Sequence, residues 1–155
     1  MACDYKLLIS DIGRLPRWIL PRRLISLSGN GRLVIKMGAK IAIVINSGLD
    51  QRAKVMSALH VAKRIHEARK ENGLESVEIF LFTGGVRALE KGQDNSEVID
   101  AMNELREAGI TLEACSNQVK NWGLEDVFQK QGIDLEFARD AFSRYAVEGY
   151  TVISF

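Results

Sequence analysis

Cys115 is the side chain in this sequence best placed to do chemistry, in the run Gly109-Ile110-Thr111-Leu112-Glu113-Ala114-Cys115-Ser116-Asn117. Residues 110 to 115 have the character of a buried strand. Ser116 and Asn117 are residue types that open a helix by accepting its first free N–H groups. A thiol at such a junction faces unpaired helical donors, whose partial positive charge favours the thiolate. The expectation is a thiol lowered from the ordinary ~8.5 into roughly the 3.5 to 7.5 range, and hence a sulfur nucleophile at neutral pH. The same position also suits a packing cysteine, small and apolar at the end of a strand.

The other reactive residue types form no comparable constellation. His60 and His66 stand six apart, which does not align them as metal ligands on a helix, and the sequence has no CxxC pair. Both histidines read as solvent-facing. Neither a Gly-x-Gly-x-x-Gly run nor a phosphate-loop lysine occurs, and Thr83-Gly84-Gly85 alone is a weak nucleotide signal. Lys120 reads as a solvated lysine and Trp122 as packing. No metal ion and no organic cofactor is implied.

Strand-to-helix connections must hold the thiol in place. Lys40-Ile41-Ala42-Ile43-Val44-Ile45 is a continuous apolar, β-branched run, the signature of a strand covered on both faces, and it ends at Asn46-Ser47-Gly48. A helical pattern follows from Asp50 to Asn72-Gly73, with Val55, Leu59, Ala62 and Ile65 on one face. A second strand, residues 77–82, leads into Thr83-Gly84-Gly85. Ser96 can cap a helix whose buried stripe is Val98, Met102 and Leu105. After the third strand at 110–115, two short helical turns fit residues 118–128. A last helix carries Leu135, Ala138, Phe142 and Tyr145 on one face, and Gly149 precedes a terminal strand at 150–155.

Strands alternating with helices predict a three-layer α/β/α domain around a mainly parallel sheet. The first strand is expected inside the sheet, flanked by the second and third. Ligands in such folds bind beyond the carboxyl ends of the strands. Three loops should therefore converge there: Asn46, Ser47 and Gly48; Thr83, Gly84 and Gly85; Cys115, Ser116 and Asn117. Taken singly, each loop is also what any strand-to-helix turn needs.

Composition sets the setting. The chain has 155 residues, 46% hydrophobic and 26% charged, which is ordinary for one globular domain. Its net charge of +1 hides an asymmetry: residues 1–36 carry +5 and the remainder −4. Residues 1–36 also hold both prolines and the turn run Ser28-Gly29-Asn30-Gly31. They read as a poorly ordered basic extension outside the core, with the domain at 37–155 and Met37 a natural start. Five arginines there could meet phosphate, but they follow no motif, so nucleic-acid binding ranks low. Two cysteines, Cys3 and Cys115, make no disulfide framework, and no apolar run approaches the roughly 18 residues of a membrane span. A reducing, cytoplasmic location is expected.

The run 109–115 with Gly123 after it, Phe82-Thr83-Gly84-Gly85-Val86, and the closing Gly149-Tyr150-Thr151-Val152-Ile153-Ser154-Phe155 together resemble the DsrE/DsrF-like proteins, including the TusD group. The resemblance covers about residues 40 to 155. It implies a DsrE-like fold, a homotrimeric, homohexameric or heterohexameric assembly, and a cysteine after this strand that carries sulfur as a persulfide or thiosulfonate; here that position is Cys115. Donor and acceptor proteins would be the partners. The chain supplies no second cysteine near the site to resolve an intermediate. Two functions are thus set against each other: a sulfur carrier or sulfurtransferase acting through Cys115, and a non-catalytic oligomeric module whose strand-end loops bind a small anion or nucleotide.

Overall fold

A computed structural model describes residues 25–27, 33–35 and 38–155. The chain divides into two compact units, Met1–Met37 and Gly38–Phe155. In the first, β1 (Ile25–Leu27) and β2 (Leu33–Ile35) pair antiparallel, with Ile25 opposite Ile35. The sequence pattern did not signal these strands. The expected disorder of the rest of that stretch, and Cys3, lie outside the described residues.

In the second unit five strands form one sheet: β3 (Ala39–Ile45), β4 (Leu74–Leu81), β5 (Thr111–Cys115), β6 (Asp134–Glu136) and β7 (Tyr150–Ser154). Their order is β6-β5-β4-β3-β7, and every neighbouring pair runs parallel. The chain steps outward from β3 to β4, β5 and β6 through α1 (Arg52–Glu67), α2 (Gly84–Arg87), α3 (Ser96–Glu107), α4 (Ser116–Asn121) and α5 (Glu125–Gln131). It then returns through α6 (Ala138–Glu148) and adds β7 on the far side of β3.

Strand alternation sorts the core into two layers. Ile43, Ile45, Val77, Ile79, Leu81, Leu112 and Ala114 point to one face and pack with Val55, Leu59, Val98, Met102, Leu105, Val119 and Phe128 of α1, α3, α4 and α5. Ala42, Val44, Phe80 and Cys115 point to the other and pack with Ala141 and Tyr145 of α6. The three-layer α/β/α class therefore holds, with α6 alone on its face among the described helices.

Four expectations change. The first strand of the domain is interior, but its neighbours are β4 and the terminal β7, because the last crossover passes over the opposite face. Leu135 belongs to β6, a three-residue edge strand too short to show periodicity, and is exposed rather than on the buried face of α6. Ser96 is the first residue of α3, whose N-cap is Asn95, with no side-chain capping bond. His66 is buried on α1, its Nδ1 without a hydrogen-bond partner, while His60 is exposed.

Candidate functional site

The carboxyl ends of β3, β4 and β5 bring the expected loops together. Thr83 ties them: its Oγ1 donates to the Asn46 carbonyl oxygen (2.9 Å), and its N–H donates to Oε1 of Gln118, one turn into α4 (2.8 Å). Thr83 adopts φ 47°, ψ −115°, in the half of backbone space that a β-branched residue rarely occupies. These two bonds hold it there. The glycines after it are required by contact. A Cβ on Gly84 would stand 2.5 Å from the Gly48 nitrogen and 2.6 Å from the Asn46 oxygen, and one on Gly85 would collide with the Ile45 oxygen. Ser47 is buried between these turns. Asn46 closes the rim on the other side, its Nδ2 donating to Ser154 Oγ (2.6 Å) and its N–H to the Phe155 oxygen (2.8 Å).

Cys115 is both the last residue of β5 and the N-cap of α4, with Ser116 half-buried and Asn117 exposed on the first turn. Its sulfur takes no capping hydrogen bond from α4. Instead the side chain lies in the layer under α6 and is 3% exposed. Sheet register gives its neighbours. Leu81 pairs with Ala114 and Cys115 with Glu136, so Phe82, Cys115 and Glu136 follow one another across three strands on the α6 face, with Glu113 one row beneath. Phe82 and Phe142 meet edge to face at 5.5 Å between ring centres and pack with Phe80, which with Phe82 shares the layer of the thiol. Lys120 is exposed, and Trp122 belongs to the core on the opposite face, with Arg87 over its ring.

The polar part of this face went unseen in the sequence. Arg144 of α6 bonds three glutamates on three strands: Glu78 (2.9 Å), Glu113 (2.6 Å) and Glu136 (2.8 Å). Its proton is held more tightly than usual, first by the bond to Glu136. Burial pushes Glu113 up to about 6; the Arg144 charge opposes this, while the charges of Glu136 and Glu78 reinforce it. Tyr145, whose hydroxyl lies 3.5 Å from Glu113, is raised by burial and by the same carboxylates. Tyr150 donates to Glu78 and is pushed up to about 12, burial being the larger cause. A signal for these residues existed: Glu78 and Glu113 are the charged residues inside the mainly apolar runs 77–82 and 110–115.

Among the described residues no group of His, Cys, Asp and Glu is arranged to hold a metal ion, and no helix is long and apolar enough to cross a membrane. A groove of about 360 Å³ runs between α1 and α3, past Met56, His60, Lys63, Asp100 and Glu104, on the face away from the thiol.

Comparison with solved structures gives the same fold at low identity. The conserved protein BT1422 of Bacteroides thetaiotaomicron, described as of unknown function, matches with a TM-score of 0.60 and 20% identity, over 75% of this chain and 94% of its own. The ychN protein of E. coli matches at 0.60 and 18%, over 76% and 99%. MTH1491 of Methanobacterium thermoautotrophicum, also of unknown function, matches at 0.57 and 21%, over 76% and 99%. No curated protein matches the chain. The family model for DsrE/DsrF-like proteins matches residues 39–155, from the first strand of the sheet to its last, and the chain belongs to the DsrE/DsrF-like family.

Proposed function

We propose that this protein is a sulfur carrier that holds sulfane sulfur on Cys115, working in a reducing, cytoplasmic setting between a donor and an acceptor. The observation that carries the reading is the position of the thiol: a free cysteine closing β5 at the rim where three strand-end loops meet, in a chain of this family. The sulfur attacks the outer sulfur of a persulfide donor and later yields it to an acceptor thiol. Asn46, Ser47, Gly48, Thr83, Gly84, Gly85, Ser116 and Asn117 shape the rim rather than react.

At 3% exposure the thiol needs an opening. The half-exposed pair Phe82 and Phe142 and the first turn of α6 are the parts that must yield. Self-association as a trimer or hexamer belongs to the same proposal, supported by Leu135, Phe137, Phe142 and Val152, large apolar side chains exposed along β6, α6 and β7.

The test is mass spectrometry of the intact protein after exposure to a low-molecular-weight persulfide. Wild type gains one sulfur on Cys115, and Cys115→Ser gains none there. Loading that persists in Cys115→Ser, or a folded wild type that takes no sulfur, would overturn the carrier. The burial of the thiol favours one second reading, a small-anion binding module in which Cys115 only packs. That reading expects a thiol inert to persulfide and a rim that binds anions equally well in Cys115→Ser.

A further inference from the structure

Resting on the carrier reading, we propose that Glu113, coupled to Glu136, accepts the proton that leaves Cys115 when its sulfur bond forms. Bond formation needs that proton removed, and a thiol 3% exposed has little water to take it. The sheet supplies the alternative. Glu113 precedes Cys115 by two residues and so leaves the same face of β5, while Glu136 is the direct partner of Cys115 on β6. One nitrogen of Arg144, Nη2, bonds both carboxylates, at 2.6 Å and 2.8 Å, which joins them into one unit on the face of the sheet that carries the thiol.

The groups facing Glu113 leave few other candidates. From β4 comes Glu78, occupied by Arg144 and Tyr150, and from β6 come Glu136 and Asp134, the latter the direct partner of Glu113 but exposed to solvent. From α6 come Arg144, a permanent cation, and Tyr145, whose hydroxyl keeps its proton. The rest of this layer, Ala42, Val44, Phe80, Phe82, Ala138 and Ala141, cannot titrate. Glu113 is 15% exposed and is pushed up to about 6, which suits a group that both takes and returns a proton near neutrality.

The step balances without an oxidant. The Cys115 proton passes to the Glu113 carboxylate, and the thiolate attacks the terminal sulfur of a donor persulfide. The Sγ–S bond forms as the donor S–S bond breaks. The departing donor thiolate takes the proton from Glu113, giving a Cys115 persulfide and a donor thiol.

The experiment follows Cys115 in the full chain between pH 5 and 9, by uptake of sulfur from glutathione persulfide and by alkylation with iodoacetamide. Wild type, Glu113→Gln, Glu136→Gln and Glu78→Gln are compared, each first checked for wild-type circular dichroism. We expect an inflection near pH 6 in wild type and its loss in Glu113→Gln, with uptake at pH 7 slowed about tenfold or more. Glu136→Gln should move the inflection lower by removing a neighbouring negative charge, a shift that mere loss of packing does not produce. It also serves if Glu113→Gln does not fold. Glu78→Gln removes a weaker neighbouring charge and should keep the inflection, moving it lower by less than Glu136→Gln does.

If wild type loads sulfur and Glu113→Gln shows the same profile and rate, the role of Glu113 is overturned and the carrier stands. If wild type takes no sulfur but alkylates with a Glu113-dependent inflection, the carrier falls and the proton link stands. A thiol inert to both reagents overturns both.

Discussion

Cys115 and Glu136 are direct partners across β5 and β6, so a thiol and a carboxylate leave the same face of the sheet side by side. The same carboxylate anchors α6 through Arg144, and α6 is the helix that covers the thiol. Access to the sulfur and the charge state around it therefore depend on one set of side chains. Any event that disturbs the glutamates also disturbs the cover.

Cys115→Ser should fold. It places a hydroxyl in a site that is 3% exposed and next to aromatic rings, so a loss of about 1–2 kcal/mol is expected in urea denaturation. Sulfur uptake at this position should vanish while the circular dichroism spectrum stays unchanged.

Stability should rise on mild acidification. Glu113 has its folded value raised to about 6, above that of an unfolded chain, so its contribution is full below the unfolded value and is lost as pH climbs through about 6. Discounted for the solvent that reaches the network, the swing is about 1 kcal/mol. Thermal melts at pH 5 and pH 7 should show it in wild type, and Glu113→Gln should lose the difference.

Arg144→Ala leaves three carboxylates gathered on one face without their cation. About 2–3 kcal/mol should be lost, toward the lower end for a broken buried pair because the guanidinium is partly exposed. Since α6 loses its polar anchor, alkylation of Cys115 should also speed up. Denaturant titration and thiol labelling separate the two effects.

Gly85→Ala should be among the most damaging small substitutions, because its methyl would collide with the Ile45 oxygen in the middle of the rim. A cost of about 2–3 kcal/mol is expected. Gly73→Ala is the control. It has open space and only a positive φ to resist it, so about 1 kcal/mol should be lost.

Much of this architecture was legible because its signals are local. The apolar run at 40–45 marked β3 as an interior strand, and Val98, Met102 and Leu105 marked the buried stripe of α3. The Asn46 to Gly48 and Thr83 to Gly85 turns were placed at strand ends by their glycines. What escaped was non-local. The side of β3 on which β7 lands depends on the face α6 crosses, and β6 is too short to carry a period. The Arg144 network joins residues 8 to 66 positions apart, so no window of sequence displays it. The face to which Cys115 points follows from strand alternation, which would have set it with Glu113 rather than Ala114.

The pairing of β7 with β3 has a kinetic side. Asn46 and Ser154 bond across 108 positions of sequence, so this non-local closure is expected among the last contacts to form. Until it does, β3, the most apolar strand of the sheet, keeps one edge of unpaired N–H and C=O groups. A chain caught at that stage offers a ready template to another copy of itself. Refolding yield should therefore fall steeply with protein concentration, and a soluble peptide with the sequence of residues 149–155 should compete for the open edge and slow productive folding.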